Sequence, residues 1–173
     1  MPVSYGKPVA KSAILPLLAA FDFSAPEAYV DFLQQKNGLV IKSPDYCNFP
    51  YCGVDEGKVA FSALFGINTR NEYYDLKYNN DECLDELDFL SDALLIGDDP
   101  GGNYFVLMNG DGREGVYYWD RTHLHAEDDI QQFDIAEQQE SGNLYQVAPD
   151  FTTFYQMILQ HACTQGEICL DDL

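Results

Sequence analysis

Asp98 and Asp99 stand side by side in IGDDPGGNYFVL (Ile96–Leu107), followed at once by Pro100, Gly101 and Gly102. Adjacent carboxylates could hold a hard cation, and a glycine pair could cradle a phosphate. A phosphate cradle needs bare N–H groups at a helix start, often with a lysine. Here two negative side chains occupy the loop and a strand-like run follows, so an anion would be repelled. Calcium would draw on Asp98, Asp99, Asn109 and Asp111. An EF-hand loop begun at Asn109 puts Arg113 at position 5 and Glu114 at position 6, where glycine is required. The turn reading accounts for the residues better. Aspartate tolerates turns, Pro100 fixes φ, and Gly101-Gly102 permit positive φ or close backbone approach. The loop is expected to reverse the chain between two strands, leaving Asp98 and Asp99 exposed and available for recognition.

Other reactive residues suggest no reaction either. His123 and His125 could face one way on a strand, but no third metal ligand has a recognisable spacing. His161 and Cys163 lie two apart on a helix, on different faces. No serine occupies a nucleophile elbow, and paired carboxylates are abundant only because acids are abundant. The five cysteines are odd in number and contain no C-x-x-C pair. They read as reduced, mostly buried thiols, with a Cys47–Cys52 disulfide as the alternative; zinc spacing is absent. No cofactor, metal or catalytic residue is expected.

Charge is the strongest compositional signal: 29 acids face 9 bases in 173 residues, a net charge of −20. It is also unevenly placed. Asn79–Gly112 contains no Lys or Arg but nine acids, and after Arg121 there are ten acids and no base. Such a surface repels nucleic acid and anionic membranes, and it steers a basic partner inward. No apolar run reaches the roughly 20 residues of a membrane helix. Ala13–Phe23 follows Lys7 and Lys11 but lacks the core length and cleavage site of a signal peptide, so the chain reads as cytoplasmic.

These residues must be positioned by a compact frame, and the length suits one domain spanning 1–173. Ser24 and Glu27 stand at capping-box spacing before a helix that Asn37-Gly38 should end. A shorter helix over 8–20 is expected to be interrupted near Pro16. Lys58–Ile67 reads as one strand, and NEYYDLKYNNDECLDELDFL as one or two short helices. ALLI, NYFVLM and EGVYYWD read as hairpin strands, with Tyr117 and Trp119 on one face and Val116 and Tyr118 on the other. Residues 122–143 read as a long polar loop, and LYQVA as a last strand. The final helix carries Phe151, Phe154, Tyr155, Ile158, Leu159 and Ala162 on one face, capped by Asp150. Helices first, strands in the middle and a closing helix imply an α+β fold with a mainly antiparallel sheet, packed with N-terminal, middle and C-terminal helices.

The motifs FLQQKNG, NEYYDL, LLIGDDPGGNYFVL, GVYYWD and VAPDFTTFYQMI, in that order, resemble the SUKH superfamily of Smi/Knr type over about residues 24–160. The family's turn motif falls on Gly97, Asp98, Asp99, Gly101 and Gly102, and its strand motif on Tyr117, Tyr118, Trp119 and Asp120. These read as fold determinants. Pro100 replaces a common further glycine, and the acidic segment Glu127–Glu140 is a departure. The resemblance implies a bacterial immunity protein that neutralises a cognate toxin domain of a polymorphic or contact-dependent system, plausibly a cationic nuclease. The partner is expected to be a basic protein, met through Asp81, Glu82, Asp85, Glu86, Asp88, Asp98 and Asp99, with Tyr73 and Tyr74 as anchors. The alternative is a regulatory or scaffold module without a toxin partner.

Overall fold

The structure, a computed structural model, describes residues 3–43, 46–54, 56–110, 112–122, 143–162, 168–170 and 173. The chain begins with β1 (Val3–Tyr5), α1 (Lys11–Ala20), α2 (Glu27–Gln35), β2 (Leu39–Ile41), β3 (Cys47–Pro50), β4 (Lys58–Phe61) and β5 (Ala63–Leu64). Then comes α3 (Leu76–Cys83), flanked by 3-10 turns at Glu72–Tyr74 and Leu84–Leu87. It continues through β6 (Ala93–Asp98), β7 (Tyr104–Met108), β8 (Gly115–Asp120), β9 (Asn143–Ala148), α4 (Phe151–Ala162) and β10 (Ile168–Leu170). The main sheet runs β10-β1-β2-β5-β6-β7-β8-β9, antiparallel throughout except where β10 joins β1. β3 and β4 form a separate hairpin. The fold is α+β, as the order of elements implied.

Alternation along β7 divides the core. Phe105 points to the side of α4 and the β3–β4 hairpin, where its ring meets Phe154 at 5.0 Å, Phe61 at 5.7 Å and Phe49 at 6.0 Å. Tyr104 points the opposite way, towards Trp119 at 5.7 Å and Phe65 at 6.2 Å. Both faces of β8 are therefore covered, and every residue of Gly115–Asp120 is buried.

Several local expectations are corrected. α2 starts at Glu27 with no side-chain cap, because Pro26, which has no side-chain acceptor, takes the N-cap position two residues past Ser24; the Ser24 N–H donates to Asp92 Oδ1 at 2.7 Å. α1 runs unbroken through Pro16. Pro16 and Ser12, whose carbonyl Pro16 cannot serve, are both exposed, so that carbonyl is open to solvent, while Ile14 and Leu18 anchor the buried face. Lys58–Ile67 is two strands: the chain leaves the small sheet at Phe61 and enters the large one at Ala63. Asp150 does cap α4, accepting from the Thr153 N–H at 2.7 Å. Most of 122–143 lies outside the described residues.

β5 is only two residues long, yet β6 beside it has six. Leu95, fully buried, would face an empty place in the sheet with its N–H and C=O unpaired. Asn80 of α3 fills that place. Its Oδ1 accepts from the Leu95 N–H at 2.9 Å, and its Nδ2 donates to the Leu95 carbonyl at 2.9 Å. Asn37 does the same for Ile67, accepting its N–H at 2.7 Å and donating to its carbonyl at 3.0 Å. The Asn37 carbonyl passes so close to Gly6 and Gly66 that a Cβ there would lie 2.1 and 2.3 Å from its oxygen.

Asn80→Ala should cost about 2–4 kcal/mol by stranding two buried backbone groups. Urea unfolding checks this: the midpoint should drop while the m-value holds. A loss below about 0.5 kcal/mol would show that Leu95 needs no such partner.

Candidate functional site

The GDDPGG turn closes the β6–β7 hairpin, and Asp99 organises it. Its N–H donates to the Asn103 carbonyl at 3.0 Å. Asp99 Oδ1 accepts the N–H groups of Gly101 at 2.7 Å and Asn103 at 2.9 Å. Oδ2 accepts from Asn103 Nδ2 at 3.0 Å and the Tyr118 hydroxyl at 2.9 Å. Asn103 Oδ1 in turn accepts from the N–H and hydroxyl of Thr122, both at 2.9 Å. A Cβ on Gly101 would press on the Asp99 carboxylate, and Gly102 adopts φ +86°, so both positions favour glycine. Gly97 has a different reason: a Cβ would lie 2.3 Å from the Ala63 carbonyl oxygen, where β5 crosses close to the β6 bulge.

The expectation that Asp98 and Asp99 are exposed is corrected. Asp99 is only 5% exposed, because its carboxylate satisfies the turn's own donors. Asp98 is mostly buried, and its Oδ1 has no hydrogen-bond partner among the described residues. Burial, then the neighbouring Asp99 charge, pushes its pKa up to about 7, against a smaller opposing effect of backbone N–H groups of Ala63 and Asp98. Tyr118 is pushed far up by burial and by Asp99, so it remains a neutral donor. Asn109 stands at the far end of β7 from this turn, about 17–20 Å along the strand, so the calcium set does not assemble. Among the described residues no group of three or more His, Cys, Asp or Glu could hold a metal ion.

The remaining acids lie along one helical edge. Asn80, Leu76 and Cys83 turn inward, which fixes the rotation of α3. Asp81, Glu82 and Asp85 are therefore exposed, as is Asp88 beyond the 3-10 turn. Asp81 pairs with Lys77. Glu86 is half-buried and forks onto Arg121, with Nη2–Oε1 at 2.6 Å and both Oε atoms 3.1 Å from Nε. That bond is the main reason Arg121 is pushed above its ordinary pKa. Among the described residues no ion pair reaches Glu82, Asp85 or Asp88. Tyr73 is 64% exposed, whereas Tyr74 is half-buried against Val40, Ala63 and Leu173.

Glu72, and Tyr78, which the sequence offers only as a packing residue, join this edge. The Tyr78 ring meets Tyr73 edge-on at 6.3 Å. Its phenol is raised by desolvation first, then by Glu72 and Glu82. The four-residue step from Tyr78 to Glu82 on α3 was a readable signal; the 3-10 turn that brings Glu72 and Tyr73 alongside was not. Of the thiols, Cys47 and Cys83 are buried and Cys52 is exposed, all unbridged. His123, His125, Asp111 and the Glu127–Glu140 segment lie outside the described residues, while His161 bonds the Met157 carbonyl at 2.9 Å.

This architecture defines the class: an α+β protein presenting an acidic, tyrosine-bearing helical edge on a mainly antiparallel sheet. The model of the SMI1 / KNR4 family (SUKH-1) matches residues 8–157, and the chain belongs to that family. No curated protein and no solved structure gives a significant match. Membership supports an immunity-protein-like role in general terms, with a protein as partner. No helix among the described residues is long and apolar enough to cross a membrane.

Asp98 carries a pH prediction. Its folded pKa is raised, so between about pH 4 and pH 7 the folded chain holds a proton that the unfolded chain has released, and stability must fall as pH rises through that window. Asp98→Asn should flatten this slope and stabilise the protein above pH 7 by on the order of 2 kcal/mol, about half the full linkage value because the residue is partly exposed. Chemical denaturation at pH 4.5, 6 and 8 reads both effects, and parallel curves for the two proteins would refute the assignment.

Proposed function

We propose that this protein is a bacterial immunity protein that acts in the cytoplasm by covering a cognate toxin domain of a polymorphic or contact-dependent system. The toxin is a cationic nuclease. A nuclease must hold phosphates, so its active surface is basic. An anionic protein seated on that surface blocks substrate without chemistry of its own.

The observation that carries this reading is the edge of Glu82, Asp85 and Asp88, three exposed carboxylates that have no ion pair among the described residues. Carboxylates this close repel one another, and a basic partner relieves the repulsion on docking. Tyr73 and Tyr78, with Glu72 and Glu82 close by, offer aromatic faces that a Lys or Arg could cover. Such aromatic positions commonly anchor interfaces. Asp99 is withdrawn from the proposed contact set, being consumed by its turn. Glu86 is withdrawn because Arg121 already neutralises it, and Asp98 because it lies mostly buried.

The test is co-expression with the toxin domain encoded beside it: cells should survive and the two chains should co-purify. Failure of both would remove the toxin reading and favour a regulatory or scaffold role. Replacing Glu82, Asp85 and Asp88 together by Ser should slow association with that domain roughly tenfold at low salt and flatten its salt dependence. Stopped-flow mixing at several ionic strengths measures this, and an unchanged rate would move the steering surface elsewhere.

A further inference from the structure

A groove of about 500 Å³ opens where the C-terminal end of α1 meets the Leu84–Leu87 turn and the start of β6. Its apolar lining is Phe21, Leu84, Leu87, Leu90 and Ala93. Leu87 and Ala93 are buried and close the floor. Phe21, Leu84 and Leu90 are only half-buried, so apolar surface is left against water. Asp22, Asp88 and Asp92 stand around this lining, and no Lys or Arg does. Asp92 is engaged by the Ser24 N–H. Asp22 and Asp88 are exposed, and among the described residues neither has an ion pair. Asp22 holds φ +52° where α1 stops, and the last turn of α1 has no basic residue. The negative end of the helix dipole therefore adds to the field of the aspartates.

We propose that this groove receives an apolar side chain of a protein partner whose flanking residues are Lys or Arg. The two halves of the requirement come from different atoms. A cation alone would answer Asp22 and Asp88 but leave the leucine surface wet. An apolar side chain among neutral neighbours would bury that surface but strip water from two carboxylates without pairing them. An acidic segment fails on both counts. Only the combination gains apolar burial and charge pairing together. The inference rests on the protein-partner reading above and adds a specific contact to it. Asp88 belongs both to the groove and to the acidic edge, so one partner surface could span them.

The probe is a five-residue peptide, acetylated and amidated, with one leucine between two pairs of lysines. Its controls carry serine in place of leucine, or glutamates in place of lysines. In NMR titrations of the full chain, the leucine peptide should shift Phe21, Leu84 and Leu90 and saturate. The serine peptide should bind at least about threefold more weakly, since it forfeits the burial of one leucine. The glutamate peptide should not bind. Asp22→Asn with Asp88→Asn should weaken the leucine peptide about three- to tenfold, the range of two exposed charge pairs. Both sites are exposed, so an unchanged melting temperature is expected; if it falls, Leu84→Ser supplies the second variant. Equal binding of the leucine and serine peptides, shifts confined to other surfaces, or a self-associated chain with the groove covered by a second copy would overturn the proposal. The toxin reading fails separately. Should the peptide fill the groove while the neighbouring toxin domain does not bind, the groove stands and the toxin does not. Should the toxin bind equally to the Asp22/Asp88 variant while the peptide misses the groove, the reverse holds.

Discussion

The structure depends on pairing the backbone groups that β5 leaves over. A two-residue strand in the middle of an eight-stranded sheet cannot serve its longer neighbours, and buried N–H and C=O groups tolerate no vacancy. Asn80 and Asn37 each present a side-chain amide in place of a missing peptide unit. The consequence reaches beyond the sheet. With Asn80 locked onto Leu95, α3 has one depth and one rotation, and residues one and two positions along from Asn80 must face water. The acidic edge is thus held by a buried amide that touches none of its carboxylates.

A second network separates the acids that build from the acids that face outward. Asp99 ties together Gly101, Asn103 and Tyr118, and Asn103 extends the tie to Thr122. Glu86 and Arg121 bridge the end of β8 to the 3-10 turn after α3, with the guanidinium also 5.9 Å from the Trp119 ring. These contacts brace the strand–turn–strand block against the helical edge. Gly101 and Gly102 of the turn and Tyr118 and Trp119 of β8 belong to this brace.

Much of this was legible in the sequence, and the misses share a cause. The final helix was readable because Phe151, Phe154, Ile158 and Ala162 recur with helical spacing and are all buried. The hairpin strands were readable from alternation and turn residues. Asp99 was misjudged because composition treats aspartate as surface, whereas its burial depends on Tyr118, 19 residues away. Glu86 was counted as free charge because Arg121 lies 35 residues off. Lys58–Ile67 looked like one strand because nothing in its apolar run signals a change of sheet at Ser62. Phe21 and Asp22 meet Leu84 only through the tertiary fold, so no local pattern could have shown the groove. Short-range pattern settles elements; the assignment of charge to interior or surface is a long-range property.

That assignment bears on why Glu82, Asp85 and Asp88 have no ion pair among the described residues. Two of the inward acids are supplied with partners: Asp99 accepts from four donors, and Glu86 from a forked arginine. Among the described residues Glu82, Asp85 and Asp88 receive neither, although each adds repulsion to a chain already at −20. Mutual repulsion of this kind lowers folding stability and contributes nothing to the core. On the proposed reading, a basic partner's cation would relieve this repulsion on contact, so the energy that weakens the isolated fold would favour the complex. Asn80 on α3 and the Glu86–Arg121 pair on the turn after it fix the elements that carry these carboxylates.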